Sequence, residues 1–144
     1  MKKKFTIKKL IISAVCVAAA VGLFFGGWLL IDTMRYRRII SNIELQTPDL
    51  TQIQDGTFDG AFDAILVSAN VSVTVENHRI VEVIINEHNH GNWDAAPKAE
   101  IVIDDVIVLQ SLEDIDTISG ATNSSKVILS AIEVALENGI EAQP

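Results

Sequence analysis

The chain has 144 residues and a net charge of −8, unevenly divided: residues 1–38 hold eight of the eleven Lys and Arg against one acid, a net +7, and residues 39–144 hold three bases against eighteen acids, a net −15. A polyanion of this kind excludes nucleic acid recognition, which needs Lys and Arg to displace phosphate counterions. Beyond the basic segment there is length for one modest core of about a hundred residues, which excludes a multidomain organisation.

Leu10 to Ile31 is a run of 22 uncharged residues, which as a helix covers ~33 Å, about one bilayer core. It predicts a single N-terminal transmembrane helix acting as an uncleaved signal anchor. A cleaved signal peptide, with an apolar stretch of ~7–15 residues and a small-x-small site, is the rival reading. Cys16, the only cysteine, falls inside the run without a lipidation signature and reads as a buried bystander. Five lysines precede the span and Arg35, Arg37 and Arg38 follow it. The balance predicts a single-pass protein of the cell membrane, N-terminus inside and acidic domain outside.

The expected division is 1–41 for a Lys-rich tail and anchor, 42–54 for a polar tether, 55–140 for the folded domain and 141–144 for a short tail. Asp55-Gly-Thr-Phe-Asp-Gly60 suits a first strand in which Gly56 and Gly60 permit close backbone approach. Ala69 to Glu76 alternates Val71, Val73 and Val75 with polar residues and reads as a half-buried strand. Asn77-His78 supplies a two-residue turn into a second strand from Arg79 to Glu87, making a hairpin. Pro97 suits the first turn of a helix reaching roughly Gln110, although the β-branched run Ile101 to Leu109 leaves a strand open. Ser124 to Asn138 carries Val127, Ile128, Ala131, Ile132, Ala135 and Leu136 at helical spacing, with Asn138-Gly139 as its stop. The fold class is α+β: a transmembrane helix, then a small domain with an antiparallel sheet and two helices.

Asp116-Thr-Ile-Ser-Gly-Ala-Thr-Asn-Ser-Ser125 is a glycine-containing turn, rich in hydroxyls, that leads into the second helix. Free N–H groups and the positive end of the helix dipole favour an anion there, Gly120 and Ala121 leave it room, and Lys126 is a rare nearby base. The plainer reading is that Thr122 or Ser124 caps the helix. A P-loop is unsupported because its glycine spacing and Lys-Ser/Thr ending are missing, and no histidine is fixed beside a serine for nucleophilic catalysis. His88 and His90 with Glu87 and Asp94 do not make a closed ligand set, and the scattered acids contain no calcium loop, so no metal site is expected.

Asp116-Thr-Ile-Ser-Gly-Ala-Thr122 resembles the Asp-x-x-Ser/Thr-Gly-Ala-Thr flavinylation motif of the FMN-binding domain family, which includes the C subunit of the sodium-pumping NADH:quinone oxidoreductase. The first-strand motif, the valine hairpin, Ile84 to His88 and the helix after the Thr122 motif occur in the family's order, so the resemblance covers roughly Asp55 to Asn138. It implies FMN joined through its phosphate to the Thr122 hydroxyl by a flavin transferase, with Asp116, Ser119, Gly120 and Ala121 forming the recognition turn. Ser124, Ser125 and Lys126 would then flank the phosphoester. The isoalloxazine ring needs apolar or aromatic surface; Phe58, Phe62 and Trp93 are the aromatics available, with Trp93 the first choice.

The resulting expectation is a membrane-anchored flavoprotein carrying electrons from a membrane donor, such as a quinone-linked dehydrogenase, to an extracytoplasmic acceptor. No residue stands out as a substrate acid or base, so an electron carrier or oxidoreductase subunit is expected rather than a complete enzyme. The alternative is an anchored binding or assembly module that binds FMN reversibly or not at all.

Overall fold

The computed structural model describes residues 2–89, 96–113 and 115–142. The chain divides into two compact units, Met1–Arg35 and Tyr36–Pro144. Helix α1 spans Lys2–Ser41. Its part from Ile7 onward is long and apolar enough to cross a membrane, the most apolar 18-residue stretch having a mean hydropathy of 2.4, a property that a signal sequence near an N-terminus also shares.

The second unit is α+β. Strands β1 (Gly56–Asp63), β2 (Ser68–Glu76) and β3 (Arg79–Asn89) form an antiparallel sheet in that order. Short helix α2 spans Val102–Leu109 and long helix α3 spans Thr122–Glu141. The predicted valine alternation holds: Ala69, Val71, Val73 and Val75 are buried on one face, each large side chain contributing about 1.5–3 kcal/mol of transfer free energy. The β2–β3 turn has φ of 51° at Asn77 and 61° at His78, the paired positive φ that matches the twist of a two-residue hairpin.

Strand β3 departs from simple alternation. Its pairing with β2 shifts register between Asn70 and Val71 and again between Thr74 and Val75, so Ile80 and Val83 turn inward while Val81 and Ile84 are exposed. Bulges of this kind insert one unpaired residue and reset which face follows.

Helix α3 lies across the inner face. The expected apolar stripe is buried, and burial extends further around the helix to Ser124, Ser125, Leu129 and Ser130, because β1, β2 and the 3-10 turn Ala96–Ile101 all pack against it. Gly139 does not end α3, which continues to Glu141. A Cβ at Gly139 would lie 2.9 Å from Ile53 and 3.0 Å from the Phe58 ring, so this glycine serves packing rather than termination.

The predicted helix 97–110 is a 3-10 turn followed by α2, and the strand alternative for 101–109 does not occur. Gln110 closes α2 in the left-handed region at φ 56°. Its side-chain amide donates to Ile80 O at 2.9 Å and accepts from Ile80 N–H at 2.8 Å, tying α2 to β3.

The segment expected as a tether is held on the domain. Gln46 N–H donates to Glu133 at 2.9 Å, Leu112 N–H donates to the Thr47 hydroxyl at 2.8 Å, and Ile53 is fully buried. Burial, joined by the charges of Glu137 and Glu113, pushes the Glu133 carboxyl above its ordinary range, while the Gln46 bond pulls the other way. A carboxyl raised in this sense favours folding below its unfolded pKa, and that contribution is lost as pH rises through the folded value. Glu133→Gln, which retains an acceptor for Gln46, is therefore expected to raise the thermal midpoint slightly at neutral pH, the gain in stability being well under ~1 kcal/mol for a group that is only half-buried and screened by solvent. The gain should disappear in acid; thermal scans at both pH values check this.

The β1–β2 connection is strained. Ile65 has φ 73°, where a branched L-residue costs about 1–2 kcal/mol. Its N–H donates to Asp63 at 2.7 Å, and Ala64 N–H donates to Val67 O at 2.9 Å, fixing the loop. Ile65→Gly should relieve the strain at a backbone entropy cost of about 0.5–1 kcal/mol. A thermal midpoint unchanged or raised by up to ~5 °C is expected, although a large side chain is removed.

Candidate functional site

The turn entering α3 is built by backbone geometry first. Ala121 N–H donates to Ile118 O at 2.8 Å, and Gly120 sits between them at φ 83°, the positive φ that the third position of such a turn requires. Ser125 locks this turn from below. Its hydroxyl donates to Ala121 O at 3.1 Å and accepts from Ile118 N–H at 3.2 Å, and its own N–H donates to Ala121 O at 2.9 Å. Ser125 is fully buried and Ser124 nearly so, so these two hydroxyl residues face the fold.

Thr122 is different. It is the first residue of α3 and is exposed, as are Asp116, Ser119 and Gly120, while Ala121 is buried and Lys126 half-buried. The capping reading of Thr122 or Ser124 is not what the geometry gives: the N-cap is Ala121, with no side-chain capping bond. Alanine is a poor N-cap, and replacing a good one by alanine costs typically ~1 kcal/mol. The first turn of α3 thus offers N–H groups without a side-chain acceptor, beside a free-standing threonine hydroxyl, a glycine and a lysine. A phosphate ester on Thr122 would supply the missing acceptor and place its charge at the positive end of the helix. The residues present fit the phosphate end of a flavin mononucleotide.

One further contact was not legible in sequence. The Asn123 amide donates to Tyr36 Oη at 2.7 Å, joining the residue after Thr122 to a residue 87 positions earlier. No local spacing signals such a pair. Among the aromatics, Phe58 packs at Gly139, near the other end of α3 from Thr122. Phe62 lines a surface cavity of about 440 Å³ with Arg38, Ile39, Asn42, Ser130 and Glu133. Trp93 lies outside the described residues, with His90 and Asp94. His88 faces Glu100 at 3.5 Å, and among the described residues no group of three or more His, Cys, Asp or Glu is arranged to hold a metal ion.

The site is thus a small sheet covered by a helix whose N-terminus presents a Ser-Gly-Ala-Thr turn. A family model described as FMN-binding domain matches residues 68–137, from the start of β2 nearly to the end of α3. The match marks the chain as a flavin-binding protein with FMN as its cofactor. No curated protein and no solved structure matched the chain.

Proposed function

We propose that the protein is a membrane-anchored flavoprotein electron carrier, with FMN joined through its phosphate to Thr122 Oγ1, relaying electrons from a membrane donor to an extracytoplasmic acceptor. The observation that carries this reading is the exposed Thr122 hydroxyl at an α3 N-terminus that lacks a side-chain cap, inside the Asp116 to Thr122 run and the matched region. When bound, FMN supplies the one- and two-electron chemistry, and the chain holds and tunes it.

Each neighbouring residue has a role toward the phosphate. Gly120 keeps the approach to the backbone open, Ser125 fixes the turn, and the N–H groups of the first turn with Lys126 offset the negative charge. Asp116, Ser119, Gly120 and Ala121 form the face a flavin transferase would recognise. A covalent link also prevents loss of a cofactor working outside the cell by dilution. The span from Leu10 to Ile31, with lysines before it, supports an N-terminus inside and the flavin domain outside.

The test of the relay is reduction of the bound flavin in membranes by a quinol, followed by reoxidation by a membrane-impermeant acceptor. The acidic domain should favour a cationic acceptor: hexaammineruthenium(III) is expected to reoxidise the flavin faster than ferricyanide at low salt, and the difference should shrink as salt is added. A flavin that no membrane donor reduces would contradict the relay.

A further inference from the structure

Three features of the second unit lie at one end of it. Tyr36 holds Asn123 at the start of α3, and Gln46 holds Glu133 ten residues along it. The chain leaving the span therefore follows α3 from its N-terminus onward. Strand β1 runs the opposite way: Phe58 meets Gly139, Asp59 O accepts from Asn138, Gly60 meets Ala135 and Ala131, and Phe62 shares a cavity with Ser130. Its last residue, Asp63, and the connection that follows thus point to the α3 N-terminus, the end that carries Thr122 and Tyr36.

Tyr36 is five residues beyond Ile31, the last residue of the uncharged run, a rise of ~8 Å in a helix. Chain connectivity thus keeps Tyr36 within a few residues of the last residue of the uncharged run. At the end of the domain that holds Tyr36, the β1–β2 connection presents two successive large apolar side chains, Ile65 at 42% and Leu66 at 44% exposure. Ile65 is kept there in the left-handed region by the bonds of Ala64 and Asp63. A polar residue or glycine would suit that tip better in water.

We infer that Ile65 and Leu66 rest in the interfacial layer of the lipid bilayer as a second, reversible membrane contact, which holds the Thr122 turn at the membrane surface. This inference rests on the anchored reading of the first unit. The contact is an apolar one: a domain carrying −15 beyond residue 38 is repelled by anionic headgroups, so burial of these two side chains must supply the attraction. Its consequence is that the flavin attached at Thr122 meets donors dissolved in or embedded in the membrane before those in the aqueous phase.

The test uses the full chain in phosphatidylcholine nanodiscs, part of the lipid carrying bromine near the headgroups or along the acyl chains. In a Cys16→Ser background, an environment-sensitive fluorophore is attached at Leu66→Cys, or at Val108→Cys on α2, which is 76% exposed. Val108 stands near the Ile80–Gln110 contact, toward the opposite end of the sheet. A third sample carries the label on the native Cys16. Several-fold stronger quenching and a blue shift at Leu66→Cys relative to Val108→Cys are expected, with the label at Cys16 quenched by the chain-brominated lipid. Quenching at Cys16 with Leu66→Cys no different from Val108→Cys would overturn the inference and leave the anchor intact. An unquenched Cys16 would overturn the anchor and this contact with it.

Discussion

Thr122→Ala should abolish covalent flavin while leaving the fold in place. The Thr122 side chain is exposed and makes no capping bond, since the cap position belongs to Ala121. Its removal therefore withdraws one hydroxyl and little packing, and a stability change within about 0.5 kcal/mol is expected. Protein made with a flavin transferase should carry flavin through denaturation in the parent chain and none in the variant. Thr122→Ser, which keeps a hydroxyl at the same position, separates loss of the acceptor from damage to the turn: it should retain some adduct if the turn survives. Ser125→Ala would not make this distinction, because Ser125 holds Ile118 and Ala121 together.

Gly60→Ala should be the most damaging small substitution in the sheet. A Cβ at Gly60 would lie 2.2 Å from Ala131 O and 2.4 Å from Ala135 N. Both atoms belong to the α3 backbone, so no side chain can rotate away and the helix itself must move off β1. Overpacking of this kind typically costs 1–3 kcal/mol, and a clash against backbone on a central helix should put it at ~3 kcal/mol or more. Gly56→Ala is the contrast, because its added Cβ would meet only the Phe58 ring edge at 3.3 Å, a side chain that can shift. Denaturant titration of the two variants should separate them by a clear difference in midpoint at equal slope.

These two positions illustrate what could be read from the sequence. Gly60, two residues after Phe58, was legible as a site of close approach, because glycine inside a strand pattern has few other uses. The valine alternation of β2, the Asn77-His78 turn and the apolar spacing of α3 were equally plain, each being set by neighbours a few residues away. Long-range contacts were less so. Gly139 looked like a helix stop because its packing partners, Ile53 and Phe58, are some eighty residues distant, and residues 46–53 looked like a tether because their hydrogen bonds go to Glu133 and Leu112. On β3, five apolar residues from Ile80 to Ile85 gave no clear face, since two register shifts decide which of them turn inward.

At the site, the Ser-Gly-Ala-Thr run identified the turn, but not which hydroxyls are free. Thr122, Ser124 and Ser125 are alike as a string of small polar residues. Only the turn of α3 shows that Ser124 and Ser125 face inward and Thr122 outward. The link from Asn123 to Tyr36 could not be read at all, and it relates the turn to the chain leaving the span.

The most direct measurement of the central claim is the intact mass of the full chain isolated from cells that also make a flavin transferase. A mass increased by one FMN minus water, carried on the peptide that contains Thr122 and absent from Thr122→Ala, is the expected result. An unmodified mass, with flavin either absent or lost on denaturation, would contradict covalent attachment and leave the anchored binding module as the reading of this chain.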